Sequence, residues 1–192
     1  MSTLTLRPNG HGSVGTVDRS SLTLNWSTAY QQVDEESLND ADYFGVTTDS
    51  TNYSVGNNCF RSFSFPSTGL ESGTSINSVT LYFRVSGHHT YHMAPFFRLN
   101  SANYEGTQVS PSPENTKATY SQTYTTNPYT GAAWTLSQVD SLDAGIHLYS
   151  KAASGDSYSN AICYWFYAVI EYTIPETYSS SLGRGIGRGI FG

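Results

Sequence analysis

Apolar and polar residues alternate at period two along most of the chain, the pattern of strands with one buried face. The clearest run is INSVTLYFRVS (76–86), in which Val79, Leu81, Phe83 and Val85 fall on one side. LTLR (4–7) and LTLNW (22–26) alternate around a loop, PNGHGSVG, and FRSFSF (60–65) alternates with Phe60, Phe63 and Phe65 as its bulk. MAPFFRLN (93–100), ATYSQTYTT (118–126), GIHLYS (145–150) and AICYWFYAVIEYTI (161–174) extend the set of short strands. Pro95 marks its strand as an edge or a bulge, because proline has no N–H to give to a ladder. The last run is too short and too interrupted for a bilayer span of about 20 apolar residues, so it reads as a buried strand with Trp165 in the core.

One segment carries a helical period instead. In TLSQVDSLDAG, Thr135 and Gln138 have the spacing of a capping box, Leu136, Val139 and Leu142 form an apolar stripe, and Gly145 ends the helix. The segment VDEESLNDADYF (33–44) has room for one further helical turn. Many short strands with one short helix predict an all-β, antiparallel β-sandwich. The first linker-like stretch comes only near residue 176, so residues 1–175 are expected to form one domain and 176–192 an appended arm.

Composition supports this reading. Aromatics make up 14% of the 192 residues, with 15 Tyr among them, and charged residues only 12%. Ser and Thr supply about a quarter of the chain. Aromatic and β-branched side chains suit a pleated, half-buried surface, while the Lys, Glu and Ala of helix bundles are scarce. The net charge of −6 argues against a nucleic-acid-binding body, which needs clustered Lys and Arg. The start, MSTLTLRPNG, lacks the basic and apolar regions of a secretory signal. Cys59 and Cys163 lie far apart; a bridge between them would add about 4 kcal/mol, but two buried thiols are the simpler reading without export.

Candidate chemistry is sparse. Asp34, Glu35, Glu36, Asp40 and Asp42 cluster as calcium ligands can, yet lack the Asp-x-Asp-x-Asp-Gly order of an EF-hand loop, and read as a solvated acidic loop. HHTYH places His88, His89 and His92 together. On a regular hairpin His89 faces away from His88, so at most two share one side, and the expectation is a polar turn without a metal. No GxSxG, HExxH, P-loop or dinucleotide fingerprint occurs, and nothing selects a pair of carboxylates, so neither enzyme activity nor a cofactor is expected. Trp26, Trp134, Trp165 and the tyrosines offer stacking faces for sugar rings, although tyrosines along a sheet also serve as cross-strand pairs.

Several phrases occur in a telling order: LRPNGHGSVGTV, VDEESLNDADYFGV, SVTLYFRVSG, FRLNSANYEGTQVS, TYTTNPYTGAAWTLSQVDSLDAGIHLY and CYWFYAVIEYTI. Together, over about residues 4–173, they resemble a jelly-roll-like β-sandwich domain of structural proteins of tailed bacteriophages and archaeal viruses. That domain is similar in architecture to carbohydrate-binding modules. The resemblance implies a virion component made in the host cytoplasm, such as a capsid decoration or a fibre-like subunit. Its partners would be the major capsid protein or neighbouring copies of itself in a homo-oligomer, and a host-surface glycan is a second class. HHTYH and everything after Pro175 depart from the pattern. Within the chain itself, Asn127-Pro128 starts a turn, Gly131 permits a tight bend, and Trp134 precedes the Thr135 cap as a hydrophobic staple.

The tail, SLGRGIGRGIFG, is the remaining anomaly. Arg184 and Arg188 make it a basic appendage on an acidic body, and alternating glycines prevent a stable helix. Exposed Ile186, Ile190 and Phe191 invite aggregation unless they are covered. Inert disorder and an arginine–glycine contact to nucleic acid are alternatives, but the pattern best fits an extended docking arm, in which those three side chains fill pockets and the arginines pair with carboxylates on a partner.

Overall fold

The computed structural model describes residues 1–17, 23–24, 26–36, 40–49, 57–151 and 158–175. The docking-arm residues Arg184, Ile186, Arg188, Ile190 and Phe191 lie outside them. The run 76–86 extends into β6 (Ser75–His88), and Val79, Leu81, Phe83 and Val85 are buried as the alternation requires. In chain order the other strands are β1 (Ser2–Leu6), β2 (Gly10–Val17), β3 (Thr23–Leu24), β4 (Phe44–Asp49), β5 (Asn57–Ser64), β7 (Thr90–Leu99), β8 (Ala102–Glu105), β9 (Ala118–Tyr124), β10 (Asp143–Lys151) and β11 (Tyr158–Thr173). The one α-helix among the described residues, α1, spans Leu136–Asp140.

The strands make two antiparallel sheets, an all-β sandwich. One has six strands in the order β3-β4-β11-β6-β9, with β1 pairing the far half of β11; the other has five, β2-β5-β10-β7-β8. β11 is the spine of the first sheet, pairing β6 along nearly its whole length. The inner faces meet in one core. Phe63 of the five-stranded sheet lies 5.8 Å from Phe44 and 5.4 Å from Phe166 of the six-stranded one, ring centroid to centroid. Each such ring removed from water contributes about 1.5–3 kcal/mol.

The structure departs from several expectations of the sequence. Residues 10–15 of PNGHGSVG belong to strand β2 rather than to a loop; its register on β5 slips between His11 and Gly15, and the intervening Ser13 and Val14 bond Asp143 and Ser62. A 3-10 helix lies at Trp26–Gln32, before the segment 33–44 in which a helical turn is expected; residues 37–39 of that segment lie outside the described residues. α1 ends at Asp140 with Ser141 as its C-cap, so Gly145 does not stop it. Gly145 lies in β10, where a Cβ would sit 1.9 Å from the Arg61 carbonyl oxygen, and only glycine permits that approach to β5. Pro95 is buried in an interior strand: its carbonyl accepts from Gly106 N–H at 2.7 Å, on the side where β8 has just ended. N–H and C=O of one strand residue point the same way, so the missing donor removes no bond to β10. As expected, Cys59 and Cys163 are buried thiols without a disulfide between them, and burial pushes the Cys163 thiol up to about 12.

Candidate functional site

The stretch NPYTGAAWTLSQVD forms one corner joining β9 in the six-stranded sheet to α1 and then β10 in the other. Asn127, buried, accepts at Oδ1 from Tyr129 N–H at 2.8 Å, and its own N–H and carbonyl bond Ala132 and Gly131. Gly131 takes φ +69° to close the bend. Trp134, 4% exposed, donates from Nε1 to the Tyr124 carbonyl at 3.0 Å and packs against Phe97. Thr135 and Gln138 complete the capping box in both directions. Asp140 then accepts from Thr68 N–H, Thr68 Oγ1 and Ser67 Oγ, bonds that hold its carboxyl below the usual range. The polar side chains of this corner are engaged in folding.

The outer face of the six-stranded sheet carries an aromatic strip. The register on β6 slips between Cys163 and Trp165, so that Tyr164 is the extra residue and Trp165 turns outward opposite Arg84. Trp165 is therefore half-exposed and not in the core, contrary to the expectation from its apolar neighbours. Its Nε1 donates to the Glu35 carbonyl at 3.0 Å. Tyr167 lies beside it at 4.4 Å and stacks on Tyr82 at 4.7 Å, 8° from parallel. The Arg7 guanidinium sits 5.7 Å from the Trp165 ring and 5.4 Å from that of Tyr167, a cation–π arrangement. Arg7 also donates to the Glu35 and Glu36 carbonyls. An open depression beside the strip is lined by Thr5, Arg7, Pro8, Asn9, Glu36 and Pro66.

The outer face of the five-stranded sheet is also aromatic, around a buried histidine. His147, 6% exposed, stacks on Phe60 at 4.1 Å and uses both ring nitrogens, 2.8 Å from Glu105 Oε2 and 3.1 Å from Asn58 Oδ1. Phe60 thus faces away from Phe63, the parity of β5 placing them on opposite sides. His92 stacks on Tyr149 at 4.4 Å and meets His147 edge-on. Burial, and then the neighbouring His147, hold the His92 imidazole below its ordinary pKa, against an opposing pull from Glu105.

At the β6–β7 turn the histidines do not arrange as alternation predicts. His89 adopts φ +61°, which breaks the alternation and brings its ring 3.8 Å from that of His88. His92 has left this group for the sheet face, and Glu114 joins it, with Oε2 3.6 Å from His88 Nε2. One ligand atom from each of His88, His89 and Glu114 lies within 4.8 Å of the others, the one such group among the described residues. In the acidic stretch Asp34 and Asp42 lie close to Glu35, with Asp42 hydrogen-bonded to it, but no three-ligand group forms there among the described residues. Asp40 is held by Arg84 at 2.7 and 3.0 Å and by Lys117, while Glu35, pushed up chiefly by burial, lies under Trp165 and Arg7.

No protein-family model and no curated protein matches the chain. The solved structures with low structural similarity to it include the following. The enzymatically active domain of tailspike protein 4 of bacteriophage CBA120 is 15% identical with a TM-score of 0.39, covering 89% of this chain and 19% of that one. A CBM4 structure is 16% identical, TM-score 0.32, covering 70% and 83%. A structure of infectious bursal disease virus, Gt strain, is 9% identical, TM-score 0.32, covering 88% and 55%. The chain thus spans about a fifth of the tailspike domain's length. Among the described residues no helix is long and apolar enough to cross a membrane.

Proposed function

We propose that the chain is a structural subunit of a virion, a capsid decoration or fibre-like component, joined through its C-terminal arm to other virion proteins or to further copies of itself. The observation that carries the reading is the 127–142 corner. The stretch most characteristic of the resemblance to phage and archaeal-virus structural domains is a device for turning the chain between sheets, and its polar groups act in folding rather than in chemistry. A basic, apolar-studded arm on an acidic sandwich suits docking onto an acidic neighbour. Light scattering after size exclusion tests it on the full chain and on a chain ending at Glu176. The full chain is expected to assemble and the shortened one to be a folded monomer. Two monomers would remove self-assembly through the arm.

A second reading, a glycan-binding face, is favoured by the half-exposed Trp165–Tyr167–Tyr82 strip beside an open depression. Aromatic faces with polar groups at their rim suit sugar rings. A glycan that changes tryptophan fluorescence in the wild type and not in Trp165→Ala would support it. A panel of glycans without such a response would dismiss it.

A further inference from the structure

We infer that His88, His89 and Glu114 form a binding site for a divalent transition-metal cation of the zinc type, a property that neither assembly nor glycan recognition requires. Tetrahedral zinc with bonds of about 2.0–2.1 Å needs its ligand atoms about 3.3–3.4 Å apart. His88 Nε2 and Glu114 Oε2 are 3.6 Å apart, and one ligand atom from each of His88, His89 and Glu114 lies within 4.8 Å of the other two. Small side-chain rotations close the remaining gap. The donor set is specific in type: two imidazoles and one carboxylate match zinc sites with three protein ligands, while calcium and magnesium take oxygen ligands. Three protein ligands leave one coordination position for water or for a group from a partner.

The scaffold brings the ligands from two segments that are distant in sequence. His88 ends β6, and its carbonyl accepts from Ser159 Oγ at 2.7 Å. The left-handed conformation of His89 turns the second imidazole to the same side. Glu114 arrives on the loop after β8, which is fastened to the hairpin by Asn115 N–H on the Gly87 carbonyl at 2.8 Å. Tyr91 Oη donates to the Pro111 carbonyl, and Ser110 Oγ to the Tyr91 carbonyl at 2.8 Å. Ligands on braced backbone lose little freedom on binding. A bound ion would staple the hairpin to this loop at one end of the sandwich.

Calorimetric titration of zinc chloride into the full chain, near neutral pH in a non-chelating buffer, is expected to show one saturable site per chain. Zinc at about 100 times its Kd should raise Tm by about 5–10 °C. Glu114→Gln and His89→Asn should each weaken zinc about tenfold or more. Both are chosen to fold: Glu114 is 48% exposed, and asparagine tolerates positive φ. Their metal-free Tm should stay within about 2 °C of wild type. Three outcomes would overturn the assignment: no saturable zinc binding up to about 1 mM, unchanged affinity in the double variant, or an equal response to calcium.

Discussion

The two ends of the sandwich treat their polar side chains in opposite ways. The β6–β9 register sets Ala118 opposite Val85 and Tyr124 opposite Val79, so the 127–142 corner and the His88–His89 hairpin lie at opposite ends of β6. At the corner, Asn127, Thr135, Gln138 and Asp140 all bond backbone or nearby side chains, and Trp134 is buried with its N–H engaged. At the hairpin, two imidazoles and a carboxylate converge on one point. Side chains matched to backbone partners secure a fold. Side chains gathered around a shared point, on a hairpin whose turn is set by the backbone at His89, suit a ligand.

The sharpest way to break this contrast is to damage each end and compare the losses. Trp134→Ala removes a buried ring and leaves the Tyr124 carbonyl without its donor, at an expected cost of about 3–5 kcal/mol. Urea unfolding measures it, against His89→Asn without metal, where a change within about 0.5 kcal/mol is expected. If the two variants lose similar stability, the ends do not differ as argued. A subtler probe of the corner is Thr135→Ala. It deletes the side-chain half of the capping box and should cost about 1 kcal/mol, with m unchanged because the fold is retained. No shift in midpoint would mean that the 3.3 Å bond to Gln138 N–H contributes nothing.

How legible these features were in the sequence follows the same division. The capping box was readable because its partners are three residues apart, and the buried face of β6 because period two has a single meaning when only one side is apolar. The outward turn of Trp165 was not readable. In CYWFYA nearly every residue is apolar, so parity carries no signal, and one bulged residue decides which ring faces water. Pro95 misled because the rule for edge strands applies to the side its nitrogen faces, and β8 ends just there. The His–His–Glu group was half visible. HHTYH drew attention to the turn, but the grouping depends on one positive φ at His89 and on Glu114 from a distant loop. The docking arm was legible only as composition, and its residues lie outside those described.

Acid separates the two ends by pH window, and this is the smallest effect and the finest test. His92, two residues into the strand that leaves the hairpin, has its pKa lowered, first by burial and then by His147. The unfolded chain therefore takes up that proton at about 6.5, before the folded protein does, so stability is full above that value and falls as pH drops through the folded pKa. Asp140 at the corner is lowered chiefly by the Thr68 side-chain hydrogen bond. Its contribution is present above the ordinary carboxylate value of about 3.9 and is lost only as pH falls beneath it. Calorimetric Tm between neutral pH and about pH 5 should therefore decline in the wild type, less in His92→Gln, and as in the wild type for Asp140→Asn, whose own loss is already present at neutral pH. His11, also lowered by burial and by Arg61, adds a residual slope that His92→Gln does not remove. A decline of the same size in His92→Gln as in the wild type would move the acid sensitivity away from the His92–Tyr149 stack. It would leave His11 beside Arg61, on the β2 edge, as the group to substitute next.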